Sequence, residues 1–279
     1  MISIEHINRE ELFAIPLPTE TDSYTPVSNK FILDTIDYMA KTMGLSLEAE
    51  RFDSAKQGNM VVGNLNYEGT DPDMGTKIAF KNSYDKSRSF SIAAGSTVWV
   101  CLNGMIHGQI VMNRVHTGEA RSIVRQQIHM AFEAMIEEYN RMIKIRSELK
   151  ETPMLREEAQ AVVANLFFQE ETISSVMLNI IKTEWNKQNS NFAPINSQYF
   201  TAWDCYNHIT ESLKRSHPSD YINNHISVHK AMSEFLVISK SGTKNTTLVS
   251  EETINTSTLF DNKIQDIEPM MSRSVIILP

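Results

Sequence analysis

From Asn29 to Met43 the apolar residues Phe31, Ile32, Ile36, Met39 and Met43 recur at three- and four-residue spacing, with Thr35 on the same stripe. That period predicts an amphipathic helix. Ser28 is placed to cap its start and Gly44 to end it. The segment before it, "IPLPTETDSYTPVSNK" (Ile15–Lys30), is rich in Pro, Thr and Ser and reads as an extended arm.

After Gly44 the period changes to two. "SLEAERFD" places Leu47, Ala49 and Arg51 on one side. "NMVVGNLNY" follows a Gly-Asn turn, and "TDPDMG" is a loop of turn formers. "TKIAFKN" alternates cleanly, Ile78 and Phe80 facing one way and Lys77, Ala79 and Lys81 the other. "SFSIAA" repeats the alternation with Phe90 and Ile92, and "STVWVCL" is the continuous apolar run of a central strand covered on both faces. Asn103-Gly104 then predicts a hairpin turn leading into "MIHGQIVM". The pattern predicts an antiparallel sheet of roughly four to six strands.

A long helix follows over "EARSIVRQQIHMAFEAMIEEYNRMIKIRSELK", striped by Val124, Ile128, Ala131, Phe132, Met135, Tyr139, Met142 and Ile143 and stopped by Pro153. Further helices are predicted over "EEAQAVVANLFF", "TISSVMLNIIKTEWNKQN", "QYFTAWDCYNHITESLKR" (capped by Ser197) and "PSDYINNHISVHKAMSEFLV". Trp203, Tyr206, Ile209 and Leu213 form a helix face read as core. From Ser239 the chain is rich in Thr, Ser and Asn and reads as a polar tail, with "SVIILP" at its end as a short strand or docking segment. A run of strands followed by a run of helices predicts an α+β fold. The expected organisation is a 1–150 core with an arm at 15–30, a 151–238 helical region packed on it, and a 239–279 tail.

Composition narrows the picture. The 279 residues carry a net charge of −8, so bulk charge does not suit a polyanion partner and nucleic-acid contact needs a local basic patch. Two cysteines, Cys101 and Cys205, exclude a disulfide framework and fit a reducing cytoplasm. No apolar run reaches the ~18 residues of a membrane span, and the N-terminus lacks the apolar core of a signal peptide.

The local patch exists. Between Thr76 and Phe90, Lys77, Lys81, Lys86 and Arg88 stand against Asp85 alone, four positive charges against one negative, a net +3. Phe80, Tyr84 and Phe90 interleave them, the mix of cations and stacking faces that binds single strands. Arg114, His116, Arg121 and Arg125 extend the set. The alternative is a solvated sheet face whose lysines discourage edge pairing. Asn82, Ser83 and Asp85 are also enough to build a tight turn. Asp85 with Lys86 as an acid–base pair lacks any visible partner geometry. His116 is read either as an acid–base group or as a loop tie. Cys205, His208, His225 and His229 have the spacing for zinc, but "HISVH" lacks the Glu of a metalloprotease helix and Cys205 suits a plain core position. Phosphate loops, dinucleotide fingerprints, nucleophile elbows and CxxC pairs are absent, so no catalytic residue, metal or cofactor is assigned.

"NSYDKS", then "AAG", then "VWVCLN", together with "PLPTETDSYTPVSN", Arg114-x-His116-Thr117 and "TAWDCYNHIT" with its downstream His-x-x-x-His, resemble a phage- and plasmid-encoded family of unknown function that includes uncharacterised prophage proteins of enterobacteria. The resemblance spans roughly Ile15 to Phe235, and Leu102 departs from it where members usually carry Asp. It implies a mobile-element setting and no particular activity. The order helix, hairpin-bearing sheet, long helix is similar to the core of phage single-strand annealing proteins of the Red-beta and Erf type, an architectural likeness only.

Two function classes are expected from these features. One is a DNA-metabolism protein, acting in strand annealing or recombination, that binds single-stranded nucleic acid on Lys77, Lys81, Asn82, Ser83, Tyr84, Lys86, Arg88, Arg114, His116, Arg121 and Arg125, as a homo-oligomer. The other is a protein-binding factor, such as an inhibitor of a host defence system, whose acidic charge suits a basic host partner. A nuclease lacks a visible carboxylate constellation.

Overall fold

The computed structural model describes residues 4–22, 24–99, 102–106, 110–111, 119–187 and 191–241. In chain order the elements are β1 (Ile4–Ile7), α1 (Arg9–Ala14), α2 (Asn29–Thr42), β2 (Leu47–Ala55), β3 (Met60–Asp71), β4 (Met74–Ser83), β5 (Ser91–Val98), β6 (Asn103–Ile106), β7 (Ile110–Val111), α3 (Ala120–Glu151), α4 (Arg156–Phe168), α5 (Ser175–Trp185), α6 (Ala202–Leu213) and α7 (Tyr221–Lys240). The fold is α+β, as the order of periodicities predicts, with a helical C-terminal half. The strands form an antiparallel meander in the order β1-β2-β3-β4-β5-β6. β6 pairs with the second half of β5 and the short β7 with its first two residues.

Helix ends follow the side chains available to cap them. Ser28 accepts from the Phe31 N–H and opens α2. Gly44 takes a φ of 69° just after α2, where a Cβ is costly. α6 begins at Thr201 rather than Ser197, because Thr201 and Asp204 close a reciprocal capping box.

Alternation within β4 divides the sheet into two faces. Ile78 and Phe80 join Phe52, Leu65, Ile92 and the stripes of α2 and α3 in one core. Ala79 joins Val62, Ala93, Ile106, Tyr221 and Ile222 in a second, smaller cluster beneath α7. A third cluster runs from Met74, Val98 and Tyr139 through α4 to α7 and includes Trp203, Tyr206, Ile209 and Leu213. This third cluster joins residues on both sides of the expected boundary at 150. All ten residues of β4 are buried.

Three local readings change. The hairpin turn lies before Asn103-Gly104, which instead pair with Val98 and Thr97 as the first residues of β6. Leu102 takes the positive φ, 55°, that the Asn-Gly pair was expected to take. "SFSIAA" and the start of "STVWVCL" form one strand, β5, with Gly95 inside it opposite Ile106. A Cβ on Gly95 would meet the Met105 carbonyl oxygen at 2.3 Å, so the strand passes its neighbour too closely for a side chain. The expected arm is also less free than its composition suggests, since Tyr24 and Val27 are buried. Cys101, Arg114 and His116, and the tail from 242 onward, lie outside the described residues.

Candidate ligand-binding site at the loop end of the sheet

Met60 pairs with Ser83 and Lys81 with Ser91, so the β2–β3 turn and the β4–β5 loop lie at one end of the sheet. The β4–β5 loop is the "NSYDKSR" stretch. Its parts do separate jobs. Asn82 Nδ2 donates to the Val27 carbonyl at 3.0 Å and to Asn29 Oδ1 at 2.9 Å. The Asn29 N–H donates to the Tyr84 hydroxyl at 2.9 Å, and the Tyr24 hydroxyl donates to the Tyr84 carbonyl at 3.2 Å. These bonds tie the start of α2 to the sheet. Asp85 gathers the loop itself. It accepts from Lys56 Nζ at 2.7 Å, from Ser83 Oγ at 2.5 Å, from the Ser87 N–H at 3.0 Å and from Ser87 Oγ. Burial acts first and raises the affinity of Asp85 for a proton, but the bonds from Lys56, Ser83 and Ser87 outweigh it and hold the carboxyl well below the usual range. Lys86 lies with its ammonium 4.4 Å from the centroid of the Tyr24 ring. Asp85 and Lys86 are therefore structural groups with separate partners, not an acid–base pair.

The basic sheet face expected from the alternation of β4 is not a surface. Lys77 is 2% exposed and Lys81 7%. α7 covers them. Lys81 Nζ donates to the Ser219 carbonyl at 2.9 Å, and burial, then Arg88, lowers its pKa. Lys77 Nζ lies 3.0 Å from where a Cβ on Gly104 would stand, with His225 Cε1 at 3.3 Å and the Tyr221 hydroxyl at 3.5 Å around the same point. His225 hydrogen-bonds to the backbone of Gly104, and burial, then Lys77, pushes its pKa well below the ordinary value. Opposite Ala79 and Lys77, the side-chain oxygens of Asn64 and Asn66 are buried without a hydrogen-bond partner among the described residues. The layer beneath α7 thus closes these polar groups in beside the Val62, Ala79, Ala93 and Ile106 cluster. Asn82, Ser83 and Tyr84 are buried as well. Sequence reasoning missed α7 as the cover, although Tyr221, Ile222, His225, Val228, His229 and Met232 recur at helical spacing and are all buried.

Of the remaining predicted cations, Lys86, Arg88, Arg121 and Arg125 are exposed. Arg88 makes no hydrogen bond or ion pair among the described residues and lines a cavity of about 390 Å³. Lys56 and Met60 of the β2–β3 turn and His217, Ser219 and Asp220 of the α6–α7 junction close its other sides. Arg121 and Arg125 are exposed in the first turns of α3. The Arg125 guanidinium lies 5.6 Å from the centroid of the Phe31 ring, at the start of α2 and close to the segment that Asn82 and Tyr84 hold. The site therefore keeps Lys86, Arg88, Arg121 and Arg125 and adds Lys56 and His217.

The zinc quartet does not assemble. Cys205 is wholly buried in the helical core, where burial raises its thiol pKa. His208 Nε2 lies 2.9 Å from the Ala193 carbonyl, and its ring stacks on Phe200. His225 faces Gly104 of the sheet, and the His229 ring meets the Tyr206 ring edge-on, with centroids 6.2 Å apart. Among the described residues no three His, Cys, Asp or Glu side chains group as a metal ion requires.

The fold and site define an α+β protein with a helix-covered antiparallel meander and a small open cavity at one end of the sheet. The chain belongs to the family described as Domain of unknown function (DUF932), which it matches over residues 16–256. Comparisons with curated proteins and with solved structures found no match. Among the described residues no helix is long and apolar enough to cross a membrane.

Proposed function

We propose that the chain is an accessory protein of phage or plasmid DNA metabolism that binds single-stranded nucleic acid at the loop end of the sheet, in strand annealing or recombination and as a homo-oligomer. The observation that carries this reading is Arg88, an exposed guanidinium without a hydrogen-bond or ion-pair partner among the described residues, at a cavity shared with Lys56. Lys86, Arg121 and Arg125 extend the positive surface, and Phe31 lies beneath Arg125. Each cation that meets a phosphate releases a counterion, so binding is salt-dependent. Fluorescence polarisation of a labelled oligothymidylate, titrated with salt from about 50 mM, tests it. Binding that weakens with salt is expected; no binding at the lowest salt overturns the reading.

A second reading rests on exposed apolar side chains elsewhere. Phe168 is 71% exposed, Tyr199 75% and Val176 60%, and the chain carries a net charge of −8. Contacts of this kind suit a basic protein partner. This reading makes the chain a protein-binding factor, such as an inhibitor of a host defence complex. A stoichiometric host partner that survives nuclease treatment favours it.

A further inference from the structure

We infer that the cavity between the β4–β5 loop and the α6–α7 junction holds one nucleoside monophosphate unit. This rests on the nucleic-acid reading and says which part of the ligand the cavity takes.

The cavity is lined from three segments that are far apart in the chain. Arg88 offers a planar fork suited to two phosphate oxygens. Lys56 offers an ammonium, already held in place by its bond to Asp85. His217 offers a ring whose orientation and tautomer follow from its neighbours. The Ser219 backbone N–H donates to His217 Nδ1 at 3.2 Å, so Nδ1 is the acceptor. The Ser219 hydroxyl lies 2.8 Å from the same nitrogen and donates as well. Burial lowers the pKa of His217, which favours the neutral ring. In that ring the proton sits on Nε2. Nε2 is buried and has no hydrogen-bond partner among the described residues. With no accessible surface, Nε2 does not meet a ligand oxygen, and His217 serves the cavity as a fixed ring wall.

The charge balance agrees with an anion that carries more than charge. Of the lining residues Lys56 and Arg88 are positive and Asp220 is negative, and Asp85 takes up the charge of Lys56 beside them, so Arg88 is the cation left for an anion. Phosphate is drawn to the Arg88 side. The Asp220 carboxylate is an acceptor for ribose or base N–H and O–H groups, and Met60 supplies an apolar wall. A volume of about 390 Å³ exceeds what phosphate alone fills and lies in the range of small-ligand pockets.

A nucleoside monophosphate can be a free nucleotide or the phosphorylated end of a strand, and the test separates these. Calorimetric titration of the full chain uses inorganic phosphate, thymidine, thymidine 5′-monophosphate, and oligothymidylates with a 5′-phosphate or a 5′-hydroxyl. The expected result is that the monophosphate binds more tightly than thymidine or phosphate alone. Arg88→Gln and Lys56→Gln, each first shown to melt as the parent does, should each weaken it by about tenfold, roughly the loss of one charged hydrogen bond. Preference for the 5′-phosphorylated oligonucleotide assigns the cavity to strand ends, and equal binding of the two oligonucleotides beside a tight mononucleotide assigns it to a free nucleotide. A monophosphate that binds no better than thymidine, or that is indifferent to both substitutions, overturns the inference. If the 5′-hydroxyl oligonucleotide still binds in that case, the surface reading stands without the cavity.

Discussion

Lys81 Nζ donates to the Ser219 carbonyl at 2.9 Å, joining the central strand β4 near the loop end of the sheet to the turn that leads into α7. This one bond turns a lysine that alternation assigns to solvent into an interior group. A buried cation bonded to a single carbonyl is a poor source of stability, because desolvation offsets much of the attraction. Lys81→Met should therefore change the free energy of unfolding by less than about 1.5 kcal/mol, and urea denaturation measures it. The same substitution should leave nucleic-acid binding within about twofold of the parent, since the ammonium does not reach the surface.

Asp85 should matter more to the loop than any of its cations. It accepts from Lys56, Ser83 and Ser87 together. Asp85→Ala should cost about 1–2 kcal/mol, a value held down by solvent at the loop. The folded-state pKa lies below the unfolded value, so this contribution is present above about pH 4 and disappears as pH falls through the folded pKa. Denaturation midpoints of parent and variant should differ at neutral pH and converge in acid.

His225 gives the opposite pH window. Its pKa in the fold lies well below the ordinary value, through burial, Lys77 and the neighbouring His229. The neutral ring is the folded form. Stability is therefore full above about pH 6.5 and declines as pH drops below it, because the unfolded chain takes up the proton first. Urea midpoints between pH 7.5 and 5.5 should fall for the parent, and His225→Gln should flatten that dependence.

Gly95 tests the close approach of β5 and β6. The atom a Cβ would strike is a backbone oxygen, which cannot swing aside as a side chain can. Gly95→Ala should destabilise by about 1–3 kcal/mol, read from thermal melting.

Much of the fold is legible in local pattern. Ser28 and the Ile32–Ile36 stripe define α2, Pro153 marks the end of α3, and the Ile78/Phe80 alternation puts the right pair against α2 and α3. The cover over Lys77 and Lys81 is not legible there. Lysines alternating with apolar residues usually mark water, and only a contact from the far end of the chain reverses that. α7 brings Tyr221, His225 and the Ser219 carbonyl onto this face, and nothing within β4 announces them. The hairpin moved for a related reason. Asn103 is drawn into β6, where its side-chain N–H donates to the Asn207 carbonyl at 3.0 Å on α6. The candidate site is half visible in sequence: Arg88 and Lys86 stand out by charge, whereas Lys56 and His217 join them only through the meander and the α6–α7 junction.

The most direct test of nucleic-acid binding at the loop end compares two double variants in one assay. Lys86→Gln with Arg88→Gln removes surface cations, and Lys77→Met with Lys81→Met removes buried ones. Salt-titrated polarisation with oligothymidylate should show the surface pair weakening binding by about tenfold and lowering the salt slope by about one or two, while the buried pair stays close to the parent provided it folds. Equal binding by the parent and the surface pair, at every salt concentration, would contradict the account.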